Sequence, residues 1–184
     1  MKLKSPRFPP LEPDKFTDEQ AELAGGRGSP RSQLNIVRTL VQNPALYRSW
    51  MPFAMHLIAA STLSAREREI VILHTCSICQ GTYDLAHHKV IAQRAGLTDA
   101  EIESAKGDGA GLAPSERTLM EAAEELVSTR FIADATWDSL SKHYTHEQLL
   151  DLIFTVGNYV MMTMLTRTCG VSIEENAESG WKPN

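Results

Sequence analysis

Four helix-start signals constrain this chain more than any other feature of its sequence. Each is a Ser or Thr followed three residues later by Glu or Gln, just before a periodic apolar run. They are Thr17/Gln20, Ser64/Glu67, Thr98/Glu101 and Thr145/Gln148. In such a capping box the side chains accept hydrogen bonds from backbone N–H groups that the first turn of a helix leaves without partners. No turn dipeptide stands between two alternating, strand-like runs, so the sequence predicts an all-α fold.

Proline and glycine mark the ends of the predicted helices. Pro44 and Pro114 suit a first helical position, where the backbone N–H has no partner within the helix anyway. Gly96, Gly107 and Gly170 stand where apolar runs stop, as glycine does at helix C-termini. These signals predict helices at 17–24, 32–42, 44–62, 65–79, 82–95, 115–130 and 146–168, with short turns near 99–106 and 135–143.

The distribution of proline divides the chain into two parts. Seven of the nine prolines fall within the first 52 residues, and a proline lacks a backbone donor and restricts the residue before it. The stretches 8–13 and 25–30, rich in proline and glycine, are therefore predicted to be irregular. We expect residues 1–30 to form a leader with one short helix, and residues 31–184 to form a single all-α domain.

Composition excludes several classes of protein. With 42% hydrophobic residues in 184, the chain can build one packed core and is not disordered. A net charge of −5 without a block of Lys or Arg argues against a nucleic-acid partner. No stretch approaches the ~18 apolar residues of a membrane span, and the first residues lack the apolar segment of a secretory signal. We therefore expect a cytoplasmic protein with neither a nucleic-acid nor a membrane partner.

The last predicted helix, 146–168, has almost no polar face. Its apolar residues are Leu149, Leu150, Leu152, Ile153, Phe154, Val156, Val160, Met161, Met162, Met164 and Leu165. A helix that is apolar all round has to be buried on all sides. A central position in the core and a contact between subunits both satisfy this requirement, and the second predicts a homo-oligomer.

Reactive side chains concentrate in residues 74–88, which hold three of the six histidines and two of the three cysteines. One interpretation is redox chemistry by Cys76 and Cys79, because a Cys-x-x-Cys spacing can lower a thiol pKa and close a disulfide. On a continuous helix these thiols lie on the face opposite Asp84 and His88, away from the nearest acid–base groups. Buried cysteines also serve as small apolar residues of a core.

Two further interpretations use the polar face of the same segment. Asp84 and His88 are four residues apart, and His74 falls on the same side of a continuous helix. Two or three such ligands are few for zinc, and we predict no metal. General acid–base catalysis needs a carboxylate that orients a histidine, with Glu69 as a second carboxylate upstream. A solvated Asp84–His88 pair without any catalytic role fits the spacing as well.

These residues resemble a motif of the carboxymuconolactone decarboxylase / alkylhydroperoxidase D-like family. Redox members of that family have the pattern Glu-x11-Cys-x2-Cys-x3-His. This chain has Glu69 and His88 at its ends, with Gly81 and Asp84 where the two cysteines stand. The run Gly-Thr-Tyr-Asp-Leu-Ala-His-His at 81–88 looks like the branch that lacks these cysteines. The similarity extends from residues 8–11 through Trp137 to residues 156–159, which is most of the chain.

The resemblance implies an all-α, multi-helical bundle that assembles into trimers or hexamers. Redox members reduce peroxides through their two cysteines, whereas lyase members decarboxylate a carboxylated muconolactone by proton transfer. Because Cys76 and Cys79 lie five residues before the matching positions, they do not inherit the redox role. The resemblance therefore favours a cofactor-free lyase or isomerase that acts on a small carboxylated or lactone substrate of aromatic catabolism.

In this hypothesis Asp84 and His88 form the acid–base pair, and Glu69 relays a proton. Candidates for orienting the substrate are Tyr83, His87 and His74. Glu69 and His88 are 19 residues apart, about 28 Å along one straight helix at about 1.5 Å per residue. They meet only if the chain turns near Gln80-Gly81 or if another subunit supplies one of them.

Two alternatives to the lyase hypothesis remain open. The first is an alkylhydroperoxidase-like antioxidant enzyme that uses Cys76 and Cys79 in a shifted geometry. The second is a family member that binds a small ligand or a partner and catalyses nothing.

Overall fold

The structure, a computed structural model, describes residues 3–174, and this part of the chain contains nine α-helices and no strand. The helices are α1 (Asp18–Leu23), α2 (Asn35–Leu40), α3 (Pro44–Met55), α4 (Ala65–Ile78), α5 (Thr82–Arg94), α6 (Asp99–Lys106), α7 (Pro114–Thr129), α8 (Asp134–Leu140) and α9 (His146–Cys169). Two 3₁₀ turns, Pro13–Lys15 and Arg31–Gln33, and a π turn, His56–Ala60, complete the regular structure of residues 3–174. The all-α prediction is confirmed.

Local hydrogen bonds start the helices where the sequence predicts. All four capping boxes form, at the N-termini of α1, α4, α6 and α9. At α4, the Glu67 N–H donates to Ser64 Oγ at 3.2 Å, and the Ser64 N–H donates to Glu67 Oε2 at 3.1 Å. Gly170 ends α9 with a φ of 76°, a left-handed conformation that glycine adopts without strain.

Several predicted boundaries are wrong, for tertiary reasons. The helix predicted at 32–42 is interrupted at Leu34, whose extended ψ of 126° separates a 3₁₀ turn from α2. The helix predicted at 44–62 ends as an α-helix at Met55, because Asp151 of α9 holds the segment that follows. The Asp151 carboxylate lies 2.8 Å from His56 Nε2 and accepts the Thr62 N–H at 2.6 Å. The turns predicted near 99–106 and 135–143 are the helices α6 and α8.

Helix α4 lies at the centre of the fold, where it packs against α5, α6, α7 and α9. Its residues 69–76 are all buried. This central position places two polar side chains, Glu69 and His74, inside the protein together with the Cys76 thiol. Since a buried carboxylate is costly unless it is paired, the position of Glu69 directs attention to its partners.

The leader packs onto the body and contributes to its core. Phe16 and Ala21 are buried in a cluster that contains Val37, Tyr47 and Met162. The backbone N–H of Arg7 donates to the carbonyl of Cys169 at the end of α9. Residues 1–2 of the predicted leader and residues 175–184 of the predicted domain lie outside the described residues.

Helix α9 has two different faces. One face is in the core through Leu149, Leu152, Val156 and Tyr159, while the other leaves large apolar side chains exposed. The exposed residues are Leu150, Phe154, Met161 and Met164. By length and composition α9 could cross a membrane, but 56% of its apolar window is buried inside the fold, as expected for a core helix. The central-core interpretation therefore accounts for one face of α9 and leaves the other unexplained.

Candidate active site

A sharp turn between α4 and α5 brings Glu69 and His88 together. Helix α4 ends at Ile78, and Gln80 takes a left-handed φ of 58° before α5 begins at Thr82. The two helices then lie side by side, and His88 Nδ1 is 2.7 Å from Glu69 Oε2. The predicted turn at Gln80-Gly81 is confirmed. It lets Glu69 and His88 of the same chain meet.

The Glu69–His88 pair is enclosed. Glu69 is 0% exposed, and its second oxygen, Oε1, lies 3.5 Å from Arg68 Nε without a hydrogen bond to any described residue. The Tyr159 ring packs edge-on against the His88 ring with centroids 4.8 Å apart. When Glu69 is ionised it can only accept, so His88 Nδ1–H donates to it and Nε2 is left as an acceptor. No described residue holds Nε2 by a hydrogen bond.

Asp84 is not the carboxylate that orients His88, which corrects the predicted acid–base pair. Asp84 is buried, and its Oδ2 accepts a hydrogen bond from Thr166 Oγ1 of α9 at 3.0 Å. Burial raises the pKa of Asp84, and the nearby charge of His88 and the Thr166 hydrogen bond only partly offset this effect. The structure thus separates two roles: Glu69 orients the imidazole, and Asp84 is a nearby carboxyl group that keeps its proton to a higher pH than usual.

Tyr83 and His87 are held by a residue that the sequence did not reveal, Glu174. The Tyr83 hydroxyl donates to Glu174 Oε1 at 2.8 Å, and His87 Nε2 lies 2.8 Å from Glu174 Oε2. The Asn35 N–H at the start of α2 donates to the same Oε1. Burial alone would raise the pKa of Glu174, but the hydrogen bonds from His87, Asn35 and Tyr83 together lower it. Glu174 lies 87 residues beyond His87 in an irregular segment, where no local pattern could signal it.

The remaining candidates lie away from this group. His74 is a core histidine rather than a substrate-orienting one, because its Nδ1 donates to the carbonyl of Ala105 at 2.9 Å and burial lowers its pKa. Cys76 is 0% exposed, and burial raises its pKa well above the ordinary value. Cys79 lines a separate surface hollow next to Arg7 and Met164. Both thiols are free.

A cavity of about 120 Å³ opens beside the imidazole of His88. Side chains of α2, α3, α5 and α9 form its wall, which is mostly apolar. The polar residues in the wall are Arg31, Tyr47, Tyr83, Asp84, His87, His88, Asn158 and Tyr159. An apolar cavity with a few convergent polar groups is the usual form of a small-molecule site. The described residues contain no cluster of three or more His, Cys, Asp or Glu side chains that could hold a metal ion.

Position 81, where the resemblance places the first redox cysteine, has no room for a side chain. A Cβ atom on Gly81 would lie 2.3 Å from Thr163 Cγ2 and 3.1 Å from Asp84 Oδ2. The φ of Gly81 is −81°, so the obstacle is steric contact rather than backbone conformation. Thr163 and Asp84 thus fill the space that a thiol would need.

Comparison with known proteins agrees with this architecture. The chain has the fold of an uncharacterized peroxidase-related protein from Ralstonia eutropha JMP134, described as an alkylhydroperoxidase AhpD core. The two share 17% identity and a TM-score of 0.80, over 94% of each chain. An uncharacterized peroxidase-related protein from Silicibacter sp. TM1040 is similar with 16% identity and a TM-score of 0.79, over 98% of this chain and 99% of the other.

The sequence comparison finds a family match for part of the chain. No curated protein sequence matches the chain significantly. Residues 44–125, from the start of α3 into α7, match the model of the carboxymuconolactone decarboxylase family. This region contains both members of the Glu69–His88 pair and the turn that joins them. Residues 44–125 thus match the carboxymuconolactone decarboxylase family model, in a chain whose fold is that of the alkylhydroperoxidase AhpD core from Ralstonia eutropha JMP134.

Proposed function

We propose that this protein is a cofactor-free acid–base enzyme, a lyase or isomerase that acts on a small carboxylated or lactone substrate. The observation that carries the proposal is the 2.7 Å contact between Glu69 and His88 at the wall of the apolar cavity. A histidine with one nitrogen fixed by a buried carboxylate and the other free is suited to proton transfer.

The chemistry follows from the orientation of the ring. In an isomerisation, His88 Nε2 removes a proton from a carbon next to the substrate carbonyl, and the electron pair moves into that carbonyl as an enolate. The imidazolium then returns the proton to another carbon. In a decarboxylation, the bond to the carboxyl carbon breaks, CO₂ leaves, and His88 delivers a proton to the resulting enolate. Glu69 stabilises the imidazolium in both cases, because it stays within hydrogen-bond distance of Nδ1.

Exchange of carbon-bound protons with D₂O tests this proposal directly. A muconolactone-type substrate incubated with the protein in D₂O should gain deuterium next to its carbonyl, which NMR detects whether or not CO₂ is lost. His88→Gln should slow exchange by about 10²–10⁴-fold, the usual contribution of a positioned proton-transfer group. The matched control is His143→Gln, since His143 is exposed and lies on the segment after α8.

The control separates catalysis from stability. His143→Gln should leave the exchange rate within about two-fold of wild type. Equal and small effects of the two substitutions would contradict a catalytic role for His88 and would support the non-catalytic, ligand-binding alternative.

A peroxidase is the second candidate, because the structural neighbours are described as peroxidase-related proteins. It would have to use Cys76 and Cys79, yet the Cys76 thiol is fully buried with a raised pKa, which disfavours the reactive thiolate. We expect Cys76→Ser and Cys79→Ser each to keep turnover within several-fold of wild type. A wild-type hydroperoxide reductase activity that either substitution abolishes would favour the peroxidase.

A further inference from the structure

The cavity beside His88 contains a positive charge that the proposed proton chemistry does not use. Arg31, in the 3₁₀ turn before α2, lines this cavity. Its guanidinium has no ion-pair partner among residues 3–174. Other arginines do have carboxylate partners, among them Arg27 with Asp18, Arg38 with Glu12, Arg48 with Glu19 and Arg66 with Glu116.

A second unused polar group lies in the same wall. Tyr47 of α3 is 1% exposed, and its hydroxyl is buried without a hydrogen-bond partner of normal geometry in the described part of the chain. Burial raises the pKa of Tyr47, and the neighbouring Arg31 partly offsets this effect through its charge and its contact with the hydroxyl. Arg31 and Tyr47 are therefore close to each other. An unsatisfied buried hydroxyl in a native fold calls for an explanation.

We propose that Arg31 and Tyr47 bind the carboxylate of a small anionic substrate whose apolar body fills the rest of the cavity. This inference rests on the proposed function and names the group by which the substrate is held. A guanidinium presents two parallel N–H donors that match a carboxylate, and a tyrosine hydroxyl supplies a third donor. Leu34, Leu40 and Met51 line the same cavity, and a hydrogen bond is stronger in such apolar surroundings than in water.

The charge arrangement of the cavity fits the same substrate class. The other ionisable groups in the wall are Asp84, Tyr83, His87, His88 and Tyr159. Burial raises the pKa values of Asp84, Tyr83 and Tyr159, which favours their neutral forms. Arg31 is the cation with no compensating partner in this wall, and a cavity of about 120 Å³ is small beside the roughly 300–1,000 Å³ of sites for drug-sized ligands. A compact monocarboxylate balances the charge of Arg31 and is small enough for the cavity.

Binding of benzoate and of its neutral isostere benzamide tests the proposal without any knowledge of the true substrate. Both probes have the same shape, and ligand-observed NMR or calorimetry can follow millimolar affinities. The wild-type protein should bind benzoate at least about ten-fold more tightly than benzamide, since charge-assisted hydrogen bonds contribute about 10–100-fold. Arg31→Gln should remove this preference while it leaves benzamide binding within about three-fold. Arg48→Gln is the matched control, because Arg48 is exposed and paired with Glu19.

Tyr47→Phe provides an independent measurement. Removal of the hydroxyl should weaken benzoate several-fold and leave benzamide unchanged. The free protein should melt at the same or a higher temperature, because the hydroxyl that is removed is buried without a hydrogen bond of normal geometry to residues 3–174. If the hydroxyl mattered only for folding, Tyr47→Phe would lower the melting temperature and leave the preference for benzoate unchanged, which would contradict its role in binding.

The outcomes separate this inference from the proposed function. Equal affinities for benzoate and benzamide, no detectable benzoate binding, or a preference that survives in Arg31→Gln would each overturn the carboxylate site. His88→Gln should retain the benzoate preference because His88 is not part of the anchor. If proton exchange proves independent of His88 while the preference for benzoate persists, the proposed catalysis fails and the binding site remains.

Discussion

Glu69 is the carboxylate that fixes the ring of His88, and the group that it presents to Nδ1 decides which ring nitrogen carries the proton. Glu69 accepts from Nδ1 at 2.7 Å, so a glutamine at position 69 could present an N–H₂ group to the same nitrogen. The imidazole would then carry its proton on Nε2 and could not accept one there. The orientation of the ring would survive while its protonation pattern is reversed.

We therefore predict that Glu69→Gln lowers proton-exchange activity by about 10²–10⁴-fold, as much as His88→Gln does. Glu69 is a positioning residue in this account, so ¹⁵N NMR of the imidazole should show the proton moving from Nδ1 to Nε2. A loss of activity with an unchanged tautomer would mean that Glu69 has another role. Thermal melting of the variant checks that the loss does not come from unfolding.

Gly81 is the residue at which packing excludes a side chain. A Cβ there overlaps Thr163 Cγ2, and overpacking of this kind destabilises a protein by about 1–3 kcal/mol. Thr163→Ser removes the Cγ2 methyl but keeps the Oγ1 that donates to the Val160 carbonyl at 2.8 Å. We predict that Gly81→Ala lowers the free energy of unfolding and that the added Thr163→Ser restores much of it.

A double-mutant cycle by urea unfolding measures this coupling. Gly28→Ala is the matched control, because a Cβ at Gly28 meets nothing within 4 Å, and it should leave stability within about 0.5 kcal/mol. Additive effects of the Gly81 and Thr163 substitutions on the free energy of unfolding would show that the Thr163 methyl group is not what excludes a side chain at position 81.

At the scale of elements, helix α9 presents a row of apolar side chains, an apolar seam, that stays largely exposed among residues 3–174. Leu150, Phe154, Met161 and Met164 are exposed, and with Gly157 between them they follow the 4-3-4-3 spacing of a helix–helix contact. Gly157 itself has open space around its Cα. Isolated exposed apolar residues are common, but a continuous row along one helix is typical of an interaction surface.

We predict that this seam packs against a second copy of the chain. Wild type should sediment as an oligomer of the 20.4 kDa subunit at micromolar concentration, and Phe154→Glu combined with Met161→Glu should yield the monomer, because the contact would bury two charges. Phe131→Glu is the control, since Phe131 is exposed to a similar degree outside α9. A wild-type monomer would contradict the prediction.

At the scale of the whole molecule, Glu174 ties the end of the described chain to two distant helices. Its carboxylate accepts from Asn35 at the start of α2, from Tyr83 and from His87 of α5. Because these partners lower the pKa of Glu174, its ionised form contributes stability. That contribution is complete above the unfolded-state pKa, near 4.5, and is lost as the pH falls through the lower folded-state value.

We predict that Glu174→Gln destabilises the protein by about 1–3 kcal/mol near pH 7, because charge-assisted hydrogen bonds become neutral ones. The difference from wild type should shrink as the pH falls below about 4.5. Urea unfolding of both proteins between pH 3 and 7 measures this dependence. A difference that does not change with pH would show that the carboxylate charge is not what holds the segment.

The sequence by itself determined the helical fold and the places where helices begin. A capping box needs only side-chain and backbone groups within four residues, so Thr17, Ser64, Thr98 and Thr145 could be recognised without tertiary contacts. It also predicted that a Glu69–His88 contact needs either a turn at Gln80-Gly81 or a second subunit, because the two residues lie too far apart along one straight helix.

Only the tertiary structure decided which groups meet. It paired His88 with Glu69 instead of Asp84, ended the α-helical part of α3 early through Asp151, and brought Glu174 onto Tyr83 and His87. Arg31 and Tyr47 entered the cavity in the same way. These contacts join residues that are 19 to 95 positions apart, a range over which helical spacing predicts nothing. They arise because helices from distant parts of the chain pack against one another, and a polar group that this packing buries has to find its partner on whichever element lies beside it.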